Sequence, residues 1–299
     1  MATPTAATEA KPKIDPFAHV VDSSHIEIFP TAGITIDDLD YEGFPLKFII
    51  LMTISAVTVA VSMIWLGLKM KSGEPPQGKL WNLLESLLFF VRDKIARPGV
   101  GDHDAVAFLP YLATLFLFIF MMNLIGLIPF LGSPTASITV TGALAMVSFA
   151  VIHISGIMSN GFGGYLKTFI PHIELEGGAV MKTMGLIITI GMAILEYATA
   201  FIRAGVLAVR LFANMLAGHT VLFMILFFIA LVSDPKYQIE VVKQQSTALQ
   251  YVMWALMSIF SVALVTALSL LELFIAGLQA FIFTFLTAVF IGLAKHPPH

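Results

Sequence analysis

Glu196, Arg203, Arg210, Asn214 and His219 all fall within ILEYATAFIRAGVLAVRLFANMLAGH (194–219). This stretch lies inside an apolar run from Gly185 to Val232 that is otherwise free of acids and bases. An ionisable side chain at membrane depth costs at least ~3 kcal/mol on insertion scales, so such residues mark ion paths, proton relays or counter-charges. Glu196, Arg203 and Arg210 recur every seven positions, which places them on one stripe of an α-helix. That stripe must face protein or water rather than lipid. A carboxylate and an imidazole can take up and return a proton, whereas a guanidinium keeps its own and stays a fixed positive charge. The chemistry this set supports is ion passage.

A second polar set, Glu272 and Gln279, sits seven residues apart on one face of the later apolar run 248–294. If the two runs pack antiparallel, residues facing each other have a nearly constant numerical sum. Arg210 with Gln279, His219 with Glu272, and Glu196 with Lys295 give sums of 489 to 491, a single register. Beside Glu272, His219 gains an opposite charge, and the two can pass or share a proton. A buried polar clamp between helices, worth ~1 kcal/mol, is the alternative. Asn214 and Gln279 either line the path or hydrogen-bond between helices. Glu196 either serves the path or neutralises Arg203, itself read as a snorkelling or structural cation. Arg210 and Glu196, fourteen residues apart, are separated by ~21 Å along the axis and cannot pair directly. Arg203, Asn123 and Ser137 are secondary candidates for lining the path; Asn123 and His153 read first as helix-packing residues.

These residues need a membrane scaffold to hold them. The 299-residue chain is 58% hydrophobic and only 12% charged, with mean hydropathy +0.91. Soluble domains carry about twice that share of charge, so this is an integral membrane protein. With no cysteine, a disulfide framework, thiolate catalysis and Cys-built zinc sites are excluded. No signal peptide with a basic start and a small-residue cleavage site is evident, and residues 1–14 lack the Arg of a transit peptide, which favours a bacterial inner membrane.

Residues 1–44 form a polar, acidic segment in which HIEIFP (25–30) alternates like a short strand. The membrane domain, 45–299, contains expected spans at 46–68, 106–130, 138–158, 185–232 and 248–294. Residues 79–97, KLWNLLESLLFFVRDKIAR, place apolar side chains at helical spacing opposite Asn82, Glu85, Arg92 and Asp93, an amphipathic helix on the membrane surface or docked on its neighbours. The joint 97–104 and the loop 159–183 are expected as connections. Each of the last two runs exceeds forty residues, roughly 60–70 Å as helix against a hydrocarbon core of ~30 Å. Neither has a central polar turn, so each is expected to be one long, tilted or bent helix. Lys69, Lys71, Lys79, Arg92, Lys94 and Arg97 after the first span place that side in the cytoplasm. The N-terminus is then periplasmic and the C-terminus cytoplasmic. The fold class is all-α.

At RLFANMLAGH (210–219) the sequence resembles subunit a of the F-type ATP synthase, bacterial type. FLPYLATLFLFIFMMNLIGLIPF (108–130) resembles that family's second-span signature and LELFIAGLQAFIFTFLTAVFIGLA (271–294) its last helix, with 79–97 similar to its surface segment. The resemblance runs from about residue 45 to 295. It implies a proton path, sodium in some relatives, formed against a rotating ring of small hairpin subunits. Arg210 is then the essential charge that engages the ring carboxylate and blocks a leak between two half-channels. Asn214, His219, Glu272 and Gln279 fall in the outer half-channel and Glu196 in the cytoplasmic one. Two departures stand out. Many bacterial relatives have an acid at the position of His219 and a histidine at that of Glu272, so the pair is exchanged here. Relatives often have an aspartate where this chain has Thr135, Ala136 and Ser137, so hydroxyls replace an acid at the outer inlet.

The implied partners are the c-ring, peripheral-stalk b subunits, the F1 sector indirectly, and lipid. No nucleic acid, cofactor, metal or catalytic residue is expected. The rival reading is a stand-alone secondary ion transporter, but the inverted repeats and broken midplane helices of that class are missing from the sequence. An intramembrane enzyme is disfavoured by the lack of HExxH, GxSxG and GxxxxGK motifs.

Overall fold

The computed structural model describes residues 46–71, 78–128, 133–168, 179–233 and 247–296. The acidic segment 1–44 with its expected strand, and the link between the two long runs, lie outside the described residues. All described secondary structure is helical: α1 (Leu46–Lys71), α2 (Lys79–Val91), α3 (Arg97–Val100), α4 (Asp102–Gly126), α5 (Ile138–Thr168), α6 (Ala179–Ser233) and α7 (Thr247–Lys295). Five helices are long and apolar enough to cross a membrane. The expected all-α membrane fold with two long C-terminal helices is observed.

The amphipathic stretch forms α2, one wide π-helical turn at Arg92–Ala96, and the short α3. Trp81 and Val91 of α2 are buried, and Ile95, Ala96 and Val100 continue the buried face. Lys69 at the end of α1 lies 5.4 Å from the Trp65 ring and 4.8 Å from the Trp81 ring, tying α2 to the end of the first span. Asp93 accepts from Arg92 Nε at 2.9 Å and pairs with Arg97 at 3.0 Å. The Arg92 hydrogen bond chiefly holds the Asp93 carboxyl below its ordinary pKa. The expected joint at 97–104 is thus mostly helical, broken only at Gly101, whose φ of 98° suits glycine. Asp102 and Asp104 then fall in the first turn of α4, where the helix dipole favours acids.

α4 is the central element. Leu112, Ile119, Met122 and Asn123 on it are fully enclosed, among α1, α7 and the α2–α3 segment. α1, by contrast, exposes Val57, Val61, Ile64 and Leu68, side chains that suit lipid. Carrying the helix past residue 158, α5 runs to Thr168 with a sharp break at Gly161 (φ 70°, ψ 161°), a conformation available essentially to glycine alone.

α6 has 55 residues and α7 has 49, ~82 and ~74 Å as ideal helices. They pack on each other, and α5 packs on both. The antiparallel register is visible in two contacts: Glu272 lies against Gly218, and Arg203 lies over the ring of Phe290 at 5.5 Å. The helices can approach closely at 218 because glycine has no side chain there; an added Cβ would collide with the Glu272 carboxylate.

Candidate functional site

The α6–α7 seam carries the polar residues in a definite order. Near its middle lie Arg210, half-buried, and Gln279, buried. Among the described residues, no ion pair and no hydrogen bond engages the Arg210 side chain, so none of them matches its charge. Leu207, Ala208 and Leu211 beside it are buried, while Val206 and Val209 are exposed. Arg210 therefore stands at the edge of the packed seam, facing outward.

Toward one end of the seam lie Asn214 and His219, both half-buried, with half-buried Glu272 opposite. His219 Nε2 and Glu272 Oε2 are both enclosed without a hydrogen-bond partner. The two residues occupy one level but are not hydrogen-bonded through these atoms. Enclosed donors and acceptors without partners are costly, so such groups call for a functional account.

Toward the other end lie Arg203 and Glu196, both exposed. Arg203 is held by its cation–π contact with Phe290, so the structural role expected for it has a physical basis. No ion pair joins Glu196 to Arg203 among the described residues. Glu196 and Lys295, expected to face each other, form no ion pair among the described residues. Lys295 Nζ instead meets Asp104 Oδ2 at 2.8 Å, and His296 Nε2 meets the same oxygen at 3.0 Å. The start of α4 reaches the end of α7 first, because α3 brings the chain alongside α7 at Gly99 and Ala288. A periodicity reading of α6 and α7 alone has no means of seeing that third helix.

Asn123, read first as a helix-packing residue, is a buried link between helices. Its Nδ2 donates to the Ala276 carbonyl of α7 at 3.3 Å, and its Oδ1 accepts from Thr135 Oγ1 at 2.9 Å. Since the single Thr135 hydrogen is used there, Ser133 Oγ must donate in the 2.8 Å contact with Thr135. Asn123, Ser133 and Thr135 are all enclosed. Ala276 lies between Glu272 and Gln279, so this chain of hydrogen bonds fixes the part of α7 that carries both. Ser137 is half-buried and ends the short helical turn Pro134–Ala136, its N–H donating to Pro134 O at 3.2 Å. The sequence signals Thr135 and Ser133 only as hydroxyls in a turn. Among the described residues, no cluster of three or more His, Cys, Asp or Glu is placed to hold a metal ion.

The family described as ATP synthase A chain matches residues 49–292 of this chain. Among curated relatives, an ATP synthase subunit a of Myxococcus xanthus is 33% identical over 253 residues, covering 85% of this chain and 73% of its own. One from Chloroherpeton thalassium is 34% identical over 294 residues, covering 96% and 78%. An ATP synthase subunit a 2 of Chlorobaculum tepidum is 32% identical over 295 residues, covering 97% and 75%.

Proposed function

Since the chain belongs to the ATP synthase subunit a family, and so is a multi-pass subunit of that complex's membrane sector, we propose that it is the proton-translocating stator. Two offset half-channels meet a rotating ring of small hairpin subunits, and Arg210 is the fixed charge between them. The observation that carries this reading is the position of Arg210, half-buried at an outward edge of α6 without a counter-charge among the described residues. An unmatched guanidinium at membrane depth is expensive, and a carboxylate carried past it by another subunit supplies the missing charge.

The remaining residues fit on either side. Asn214, His219, Glu272 and Gln279 form the outer half-channel, with Asn123, Thr135 and Ser137 at its inlet. Glu196 serves the inner half-channel, with Arg203 alongside. A proton enters from the outer side, neutralises a ring carboxylate freed from Arg210, and leaves after nearly a full turn on the Glu196 side. Arg210 cannot give up its own proton, so no proton passes straight between the half-channels. Each charge crossing 100 mV releases ~2.3 kcal/mol, and the offset makes that release pass through rotation. The subunit itself is non-catalytic. Its further partners are the peripheral-stalk b subunits and, indirectly, the F1 sector; the N-terminus lies in the periplasm and the C-terminus in the cytoplasm of a bacterial inner membrane.

Because the chain has no cysteine, single introduced thiols test the facing of α6 cleanly. Val206→Cys and Ala213→Cys, on the exposed side, should form disulfides with a cysteine on the outer helix of the ring, and reduction should restore rotation. Buried Ala208→Cys should not. If the exposed positions react only with lipid-soluble thiol reagents and never with the ring, α6 faces lipid and the stator reading is wrong.

A further inference from the structure

His153 is a buried-edge imidazole that the two half-channels as described do not use. It sits on α5, half-buried, where α5 packs on α6. Its Nδ1 lies 2.8 Å from the Phe149 carbonyl one turn earlier. A carbonyl only accepts, so Nδ1 carries the hydrogen and Nε2 carries the lone pair. That Nε2 is fully enclosed and has no hydrogen-bond partner. A lone pair kept dry and unused is a cost that a purely space-filling residue would not impose.

The surroundings are built from several elements. The Tyr165 ring stands nearly perpendicular to that of His153 at 5.9 Å between centroids, as does the Tyr197 ring of α6 at 6.3 Å. Tyr165 reaches His153 only because α5 breaks at Gly161 and folds its end back. In an unbroken helix, residues nine apart lie ~13 Å from each other along the axis; here the Tyr165 ring rests against Gly156, where any side chain would collide with it. The GFGG motif at 161–164 thus shapes this site rather than a loop. The titratable groups facing His153 among the described residues are Tyr165 from α5 and Tyr197 from α6. Tyr197 is followed back along the chain by Glu196, and both are exposed on α6.

We propose that His153 is a proton-storing residue of the inner half-channel, taking up a proton at Nε2 from the cytoplasmic side and returning it toward Glu196 past Tyr197. The proposal rests on the placing of Glu196 in that half-channel. Nε2, enclosed at rest, meets a hydronium only when the Tyr165 and Tyr197 rings part; the hydronium gives it a proton and leaves as water. The imidazolium keeps Nδ1–H on the Phe149 carbonyl, so the proton that departs is the one on Nε2. It leaves to a water admitted by the same opening, which passes a proton on to the Glu196 carboxylate. Charge and atoms balance, and the ring needs no flip.

The test uses inverted membrane vesicles carrying the assembled complex, from which the soluble ATPase is then stripped, with passive proton flow as readout. His153→Ala should lose most of the flow while the ring still co-purifies, and added imidazole should restore it. Pyrazole, of the same shape but a far weaker base, should not. His153→Gln, which keeps a donor for the Phe149 carbonyl, should lose flow as His153→Ala does, covering any assembly defect of the smaller residue. Normal flow in His153→Gln, or equal rescue by imidazole and pyrazole, would overturn the proposal and leave His153 a packing residue. Glu196→Gln is measured in parallel. If it conducts normally while the His153 variants lose flow and respond to imidazole alone, the role of Glu196 fails and the storage role of His153 stands.

Discussion

Replacing Gly218 by alanine puts a methyl group into the space occupied by the Glu272 carboxylate. The new Cβ would lie 3.0 Å from Glu272 Cδ and 3.2 Å from Cγ, where ordinary contact begins near 3.4 Å, with the carboxylate oxygen closer still. The carboxyl carbon must withdraw by at least about 0.4 Å and the oxygen by more, either by a change of rotamer or by parting α6 from α7. Overfilling a packed seam costs ~1–3 kcal/mol, and 1.4 kcal/mol is a factor of ten in an equilibrium. The native position of the carboxylate should therefore be depopulated by roughly five-fold to a hundred-fold. If Glu272 carries protons, passive flow through stripped vesicles should fall in Gly218→Ala while the complex still assembles. Glu272→Asp draws the carboxyl back by about one C–C bond, ~1.5 Å, so the double variant should conduct better than Gly218→Ala alone. Such non-additivity identifies residues in contact. Undiminished flow in Gly218→Ala, or a double variant whose losses simply add, would refute the reasoning.

Other expectations follow from the same packing. Asn123→Ala removes the donor to the Ala276 carbonyl and the acceptor for Thr135, leaving enclosed polar atoms unpaired at ~1–3 kcal/mol; the detergent-solubilised complex should denature at lower temperature, and proton flow should fall because α7 loses its anchor between Glu272 and Gln279. Gly161→Ala forces an L-residue into a glycine conformation at ~1–3 kcal/mol; cleavage by protease near 161–168 should accelerate, while Gly163→Ala, where an added Cβ meets open space, should behave as the parent.

How much of this was legible beforehand depends on whether the signal was local. The spans follow from long apolar runs. The antiparallel pairing of α6 and α7 follows from polar residues recurring at a shared register, and the contacts of Gly218 with Glu272 and of Arg203 with Phe290 agree with it. Glu196 and Lys295 form no ion pair among the described residues, because Asp104 holds Lys295, at 2.8 Å, through a helix the pairwise argument omitted. Likewise the described parts of the loop expected at 159–183 are helical, since the one glycine at Gly161 bends the chain and the helix resumes after it. The union of Asn123 with Thr135, Ser133 and the Ala276 carbonyl joins three separate segments. No periodicity within any one of them announces it. Side-chain pairing across elements depends on the crossing of whole helices, which local patterns do not encode.

The most direct test of the account is ATP-driven proton pumping in inverted vesicles carrying Arg210→Ala, recorded together with passive leak after removal of the soluble ATPase. A fixed charge between half-channels predicts an assembled complex that no longer pumps and leaks more protons than the parent. Pumping that survives the substitution would contradict the central claim and leave 194–219 as a packing helix.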